Sequence, residues 1–511
     1  MASSASKEQD GIFVGKLIDF RPKGNISHVV SSNGQVLLAT NARDILHISV
    51  QNLMAYASDI ALPLSTHDRI AYVHIDVAGY HAILSSTSGE NFYVNLKNDQ
   101  QKPFKRAKGH VITAIGWNSS LGTESETAFI ALGTTKGSLY ETSIQSGGSV
   151  LYMKELSQCL TGVKELPITN VELFQCDDSR WALCICFPGR LYCLTAVLNK
   201  SEHSYFQPVV GTVWTSAFVE QFTPTLQPFF SCEDRVYKQV FLNYFFTFSD
   251  LTNVVEDKIR FHCMDDTQRT LPSGFAIHPK TVNGTPPTQY CWLGAHGFTI
   301  GKINITAQDG YSMIIEGPHV QHRLVNGRYD NPLDIAVTEY HVLLLYSDRL
   351  EAVSLLNQKC VYEEPVGMHT SQVKGMFRDP ITEMIWVYTD SSVSRYQPNE
   401  ENRNVWAIYL EQGDFKKAKK ITSQLKDKDP HQLVLKKEAD KLIAQNNDAK
   451  YILVTIYVGA AELLAESTEP FEIAVSRFLS SVDDRRDGLK RFLELQFEKL
   501  AGDDSKVISL I

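Results

Sequence analysis

Up to Pro398 the apolar residues come in strand-length stretches, and tight polar turns join the stretches in pairs. Residues 35–40 turn through 41–44 into 45–50, and residues 81–85 turn at Ser88-Gly89 into 91–96. Residues 127–132 turn at Lys136-Gly137 into 138–143, and 181–187 turn at Pro188-Gly189 into 191–194. Residues 290–294 turn at His296-Gly297 into 298–303, 341–346 at Ser347-Asp348 into 349–355, and 384–389 at residues 390–392 into 393–397. The stretches are rich in Val, Ile, Tyr and Phe, which suit a pleated, half-buried surface. Gly, Asn and Asp stand at the turns because those positions often require positive φ. The pattern predicts a series of β-hairpins.

Most of these turns recur at roughly 45–50 residues, the length of a four-stranded propeller blade. Outer strands are visible as well, at 112–117 before one hairpin and 171–174 before another. The interval from Gly189 to Gly297 has room for about two blades, with a weak turn signal at 232–234 inside it. A β-propeller of seven blades is favoured, and eight stays open. With seven, residues 11–20 or a neighbouring strand complete the last blade as a closure strand, and 244–264 are partly insertion. A β-sandwich also yields hairpins but rarely sustains them over ~400 residues. Separate β domains would need linkers, and no Pro/Gly/Ser-rich linker interrupts residues 11–398. The Trp-Asp dipeptide of one propeller class is missing, and Gly109-His110 is only a fragment of that signature.

From Glu400 onward the apolar period changes from two to ~3.6. Trp406, Tyr409 and Leu410 share one helical face, and Gly413 marks a turn. Asp414 is a good N-cap for a second helix with Phe415, Ala418 and Ile421 on its apolar side. Pro430 opens a third helix, residues 446–448 turn it into a fourth, Pro470 opens a fifth, and a last one carries Leu489, Phe492, Leu493, Leu495 and Phe497. Paired helices of ~30–35 residues are the unit of an α-solenoid. The expected organisation is a flexible tail over 1–10, a β-propeller over 11–398 and the first hairpins of an α-solenoid over 399–511. Residues 507–511 are apolar and uncapped, so the solenoid is expected to be truncated there. The junction is expected to be held by Trp386, Tyr388, Trp406, Tyr409, Leu410 and Phe415, with Trp406 as a buried aromatic.

Composition narrows the function classes. The chain has 511 residues, too many for one ordinary core, and a formal charge of −9. A duplex-binding protein neutralises phosphates with Lys and Arg, so a net acidic chain argues against nucleic acid. The start of the chain lacks the basic and apolar regions of a secretory signal. Apolar runs such as 342–346 fall far short of the ~20 residues of a spanning helix. The nine cysteines, Cys159, Cys176, Cys184, Cys186, Cys193, Cys232, Cys263, Cys291 and Cys360, are odd in number and scattered, unlike a secreted disulfide framework.

Candidate chemistry is sparse. Cys184, Cys186 and Cys193 alternate along strands rather than following zinc spacing, so core thiols explain them better than a metal. The 15 histidines form no His-Glu-x-x-His unit, and His262 and His278 are isolated. No nucleophile elbow or phosphate loop is present. The carboxylate pairs Asp265-Asp266 and Asp483-Asp484 are read as loop or cap residues. Lys416, Lys417, Lys419 and Lys420 are read as a solvated helix face, with contact to an acidic lipid or partner as the competing possibility.

Residues 375–392, 401–410 and 413–418 resemble the propeller–solenoid junction of the deep orange family, the vacuolar protein sorting-associated protein 18 group of class C sorting subunits. Residues 333–350, 291–302 and 113–118 match the same family in the same order. The resemblance implies the N-terminal half of a non-catalytic scaffold subunit of the HOPS and CORVET tethering complexes. It implies other class C subunits as direct partners, and Rab GTPases and SNARE proteins as indirect ones. It also implies peripheral association, through partners, with late endosome, lysosome or vacuole membranes from the cytoplasm. The family's RING-type zinc domain lies C-terminal to the region matched, so no cofactor is expected in this segment. Two other classes compete: a propeller enzyme working at its channel, and another propeller–solenoid coat of the vesicle, ciliary or nuclear-pore type.

Overall fold

The computed structural model describes residues 11–18, 22–49, 56–156, 166–177, 180–188, 190–197, 273–279, 285–294, 297–307, 313–367, 371–444, 450–479 and 486–501. The tail 1–10, the weak turn at 232–234, the possible insertion 244–264, and Cys159, Cys232, Cys263 and His262 lie outside the described residues. So do Asp265-Asp266, Asp483-Asp484, 446–448 and 507–511. The chain divides into two compact units, Met1–Asn399 and Glu400–Ile511.

The first unit is a seven-bladed β-propeller. Blade 1 is built from Ile26–Ser32, Gln35–Thr40, Ile45–Ser49 and Tyr56–Asp59, innermost strand first. Blade 2 uses Ile70–Ile75, His81–Ser86, Asn91–Asn95 and Gln100–Pro103, and blade 3 uses Ile112–Gly116, Glu126–Thr134, Leu139–Gln145 and Val150–Glu155. Blade 4 shows three described strands, Asn170–Gln175, Arg180–Phe187 and Arg190–Val197. Blade 5 is Gly274–His278, Gln289–Leu293, Gly297–Ile303 and Ile314–Gln321. Blade 6 is Asp334–Val337, His341–Leu345, Arg349–Ser354 and Cys360–Pro365. Each hairpin expected from the sequence is the middle hairpin of one blade.

Blade 7 closes the ring. Val373–Arg378, Ile385–Thr389 and Val393–Pro398 come from the end of the unit, and the outermost strand is Phe13–Ile18 from its start. Phe13 pairs with Pro398 and Ile18 with Val393, antiparallel and without a register shift. Asn399 ties the seam further: its N–H donates to the Ile12 carbonyl (2.9 Å) and its side-chain amide to the Gly11 carbonyl (3.3 Å).

The core is seven apolar walls, one between each pair of neighbouring blades. Side chains alternate across a strand, so one strand feeds two walls. Ala82 and Leu84 pack toward blade 1, while Ile83 between them packs toward blade 3. Leu183 and Ile185 face blade 3, and Ala182, Cys184 and Cys186 face blade 5. Trp386 and Val393 of blade 7 meet Ile26, Val29, Val36 and Leu38 of blade 1. Each fully buried large side chain contributes about 1.5–3 kcal/mol relative to exposure.

Three glycines let a tyrosine lie flat across the neighbouring strand. Gly15 is registered with Tyr396, Gly301 with Tyr290 and Gly375 with Tyr388. A Cβ built on Gly301 would run into the Tyr290 ring, and one on Gly375 would lie 2.8 Å from the Tyr388 hydroxyl. Glycine weakens a strand by itself, and the aromatic cover offsets that loss.

The second unit contains six helices among its described residues: α1 (Val405–Glu411), α2 (Phe415–Thr422), α3 (Asp429–Ala444), α4 (Lys450–Glu466), α5 (Phe471–Phe478) and α6 (Arg486–Ala501). Asp414 caps α2, accepting from the Lys417 N–H at 3.1 Å. Helix α4 packs against α3 and α6. Their core is made of Ala439, Ala460, Ala461, Ala465 and Ala474 with Leu464, Phe478 and Phe492. Small residues at the contacts let the helices approach closely, and the Phe492 ring sits 5.9 Å from Phe471 and 6.3 Å from Phe478. The start of an α-solenoid is the architecture these helices form.

Gly301→Ala is expected to cost about 2–3 kcal/mol, because overpacking against a fully buried ring cannot be relieved locally. Gly147→Ala, whose new Cβ would meet nothing within 4 Å, is expected to leave stability unchanged. Urea unfolding of both variants checks this; equal midpoints would show that the tyrosine cover carries no constraint.

Candidate functional site

The innermost strands of all seven blades surround a central channel of about 380 Å³. Its wall includes four titratable side chains: His74, Glu172, Asp334 and Arg378. Asp334 begins the innermost strand of blade 6. Its carboxylate accepts from the Ile335 N–H (2.8 Å) and from the Met376 N–H of blade 7 (3.2 Å). Burial raises its pKa to about 6 against the pull of those two amides. His74 Nε2 lies 3.3 Å from the Ile112 carbonyl of blade 3, and burial lowers its pKa to about 4, so the ring is neutral at pH 7. Arg378 holds Glu383 (2.9 Å) and lies 3.0 Å from His278 Nδ1.

Other polar groups beside the channel are also used between blades. Asp379 accepts from Ser31 Oγ (3.1 Å) and the Asn33 N–H (3.3 Å) of blade 1. Ser32 Oγ donates to the Val77 carbonyl of blade 2 (2.7 Å). Ser85 Oγ accepts from the Ile112 N–H (2.8 Å), and Asn170 Oδ1 from the Phe275 N–H (3.2 Å). Asp76, His81 and Tyr93 invite comparison with a catalytic relay, but the geometry is different. Asp76 accepts from the Tyr80 and His81 main-chain N–H groups, both at 2.7 Å, rather than from the imidazole. Both His81 ring nitrogens are engaged, by Tyr93 OH and the Thr123 carbonyl, each at 2.7 Å. Such a histidine fixes a loop and has no proton position aimed at a substrate.

The cysteines of blade 4 lie where strand alternation puts them. Cys176, Cys184, Cys186 and Cys193 are buried in the wall against blade 5. Cys184 and Cys193 are registered neighbours with sulfurs 3.4 Å apart, and Cys193 Sγ lies 3.6 Å from Met313 Sδ. The adjacent Cys193 thiol and burial push the Cys184 pKa well up, and burial pushes Cys176 to about 12. Protonated thiols are poor metal ligands and poor nucleophiles. No group of three or more His, Cys, Asp or Glu residues with metal-binding geometry occurs among the described residues.

The residues expected at the junction fall into two places. Trp386 and Tyr388 belong to the wall between blades 7 and 1, where the Trp386 ring stacks on Phe377 at 6.0 Å. Trp406, Tyr409, Leu410 and Phe415 belong to α1 and α2, and each is half-buried. Trp406 is not the buried aromatic it was expected to be; the buried residue at that end of α1 is its neighbour Val405. The lysine group is mixed in character. Lys416 and Lys420 are exposed, Lys417 pairs with Asp414 (2.8 Å), and Lys419 with Glu438 (2.8 Å).

Strand order fixes what stands on each face of the disc. The connections between blades and the middle hairpin turns emerge on one face, the crossover face. The first and third turns of each blade emerge on the other. The residues that sequence reasoning missed lie on the crossover face, in the connections between blades. Their signal was the run Lys105-Arg106-Ala107-Lys108 and the apolar pair Leu324-Val325.

The Pep3/Vps18/deep orange β-propeller family model matches residues 11–397. The chain belongs to this family. The vacuolar protein sorting-associated protein 18 homolog of Caenorhabditis elegans is 30% identical over 535 residues, covering 99% of this chain and 49% of that protein. The homolog of Danio rerio is 23% identical, covering 99% of this chain and 47% of that protein. The vacuolar membrane protein pep3 of Schizosaccharomyces pombe is 21% identical, covering 97% and 46%. The chain thus spans about half the length of the family members it matches. No described helix is long and apolar enough to cross a membrane.

One buried group in the family propeller makes stability depend on pH. Glu141 is 2% exposed, its Oε1 accepts from Tyr152 OH (2.6 Å), and burial raises its pKa to about 7 from an ordinary 4.5. The folded state therefore holds the proton more tightly than the unfolded state. Its contribution is complete below the ordinary carboxyl range and is lost as pH rises through about 7, by about 3 kcal/mol in all. Glu141→Gln is expected to remove this fall, as read by urea unfolding at about pH 5 and about pH 8. An unchanged difference between the two pH values would assign the fall to other groups.

Proposed function

We propose that this chain forms the propeller and first solenoid hairpins of a non-catalytic scaffold subunit in class C tethering complexes of the HOPS and CORVET type. The observation that carries the reading is the family match over residues 11–397. It is supported by two relatives named for vacuolar protein sorting that align over 99% of this chain, and by one named as a vacuolar membrane protein that aligns over 97%. The subunit would support vesicle tethering and SNARE-mediated fusion at late endosomes and lysosomes or vacuoles. Its direct partners would be other class C subunits, with Rab GTPases and SNARE proteins reached through them. Association with the membrane would be peripheral, from the cytoplasm and through those partners.

Physical features agree with such a role. Asp334 in the channel wall and Asp379 beside it are engaged in bonds to neighbouring blades. A disc of this kind presents faces and rims to proteins, and stable protein contacts rest on buried apolar anchors of standard size. A helical array adds reach by stacking similar units. In this reading the segment would take no cofactor, and zinc would belong to other parts of the whole protein.

The full-length protein is expected to co-purify with other class C subunits at physiological salt. Recovery without any of them would remove the reading, and recovery with components of a ciliary or nuclear-pore coat would replace it.

A further inference from the structure

The crossover face carries two features that the propeller walls do not need. The first is basic. In blades 1 to 3 the turns and connections on this face hold Arg43, Arg69, Lys105, Arg106, Lys108 and Lys136, all exposed. The carboxylates among them are Asp44, Asp68 and Glu90. Asp68 is 5% exposed and is consumed by Ser88 and Thr87, while Glu90 pairs with Lys108 at 2.7 Å. Arg69, Lys105, Arg106 and Lys136 make no ion pair among the described residues. Among the described turns on the opposite face of the same blades, Asp99 and Glu124 stand against Lys97, and Asp76 is buried. In blades 1 to 3 of this chain of net charge −9, exposed cations thus outnumber carboxylates on the crossover face, with Asp59 and Glu155 at the ends of the outer strands counted among the latter.

The basic side is also rigid. Lys105–Ala107 is a single helical turn pinned by buried Phe104 and Ala107. Asn91 Nδ2 donates to the Ala107 and His110 carbonyls, both at 2.8 Å. Gly89 lies so close that a Cβ there would come within 2.8 Å of the Gly109 main chain.

The second feature is apolar. The connection from blade 5 to blade 6 forms a small hairpin, Leu324–Val325 paired with Arg328–Tyr329, turned by Asn326 and Gly327 at φ of 51° and 76°. Consecutive strand residues point to opposite faces. Leu324 is 64% exposed and Val325 52%, so this strand of the hairpin presents apolar side chains to solvent on both of its sides. Leu333, in the same connection, is 51% exposed.

We propose that the crossover face docks directly on an anionic lipid bilayer. Leu324 and Val325 enter the headgroup–acyl boundary, and the cations of blades 1 to 3 lie over anionic headgroups. A flat surface is the partner that meets both features together, since they stand on different sectors of one face of a closed disc. Apolar insertion and basic attraction are each weak alone, and stable attachment takes two such signals. This goes beyond partner-mediated recruitment, and its test uses the chain without any partner, so either idea can fail alone.

Flotation of the 511-residue chain with phosphatidylcholine vesicles, with or without about one-fifth phosphatidylserine, at about 0.15 M salt, tests it. Binding is expected only to the anionic vesicles and is lost at high salt. The double variant Lys105→Glu/Arg106→Glu and the variant Leu324→Asp are each expected to reduce partition at least ~10-fold with unchanged melting temperature. Leu324→Trp is expected to give blue-shifted emission on anionic vesicles. Absence of binding, equal binding to both vesicle types, or no loss in either variant overturns the proposal. Loss with the charge reversal alone, while Leu324→Asp binds like the parent, also overturns it and assigns the cations to an acidic macromolecule.

Discussion

Every blade of this propeller is apolar on both faces, so no blade is buried by anything except two neighbours. Blade 2 shows the constraint within three consecutive residues, with Ala82 and Leu84 serving one wall and Ile83 the next. A ring of such sheets has no natural end. Either all seven walls form or two large apolar faces stay open to water, at about 25 cal/mol per Å². The wall between blades 7 and 1 is therefore as necessary as any other, although it joins residues separated by nearly the whole unit. The strand Phe13–Ile18 locks that seam by pairing across its full length with Val393–Pro398. Phe13 is also buried in the wall between blades 6 and 7, so the closure strand serves both sheet and core.

The polar interior follows from the same ring. Inner strands converge on the axis, and their buried polar atoms need partners, since an unpaired one costs about 1–3 kcal/mol. The partners are main-chain groups of the next blade: Ser85 with Ile112, Asn170 with Phe275, Asp334 with Met376. These bonds set the rotation of one blade against another, which apolar contact alone leaves loose. Their cost shows in Asp334, whose carboxyl group burial shifts toward neutrality. Charges so occupied are unavailable for work on a ligand in the channel.

Much of this was legible in the chain because propeller physics is local. A hairpin needs only its own strands and turn, and each expected hairpin became the centre of a blade. The turn at Lys136-Gly137 is one case, with Gly137 at a φ of 73°. Closure by the N-terminal strand was also readable, since an incomplete last blade leaves one strand to be found. Trp406 marks the limit. Helical periodicity places it on a face with Tyr409 and Leu410, but the choice between Trp406 and Val405 for burial is a matter of packing rather than period. The cysteines were read from alternation alone, and alternation put Cys184 and Cys186 in one wall. The contact between Cys184 and Cys193 needed the pairing register, which depends on the turn beyond them.

The basic and apolar elements of the crossover face escaped sequence reasoning for a related reason. Lys105 and Lys136 are far apart in sequence, and only the strand order brings their turns to the same side of the disc. The connections that carry them are also the parts of a blade least bound by the walls. A residue in Ile112–Gly116 must suit the core, the channel or both, whereas the solvent side of Lys105–Ala107 answers to neither. In a ring closed this tightly, new binding chemistry can be added at such connections without disturbing a wall. The exposed pair Leu324–Val325 has that form, standing on a hairpin built on a connection and outside the apolar walls on which the disc depends.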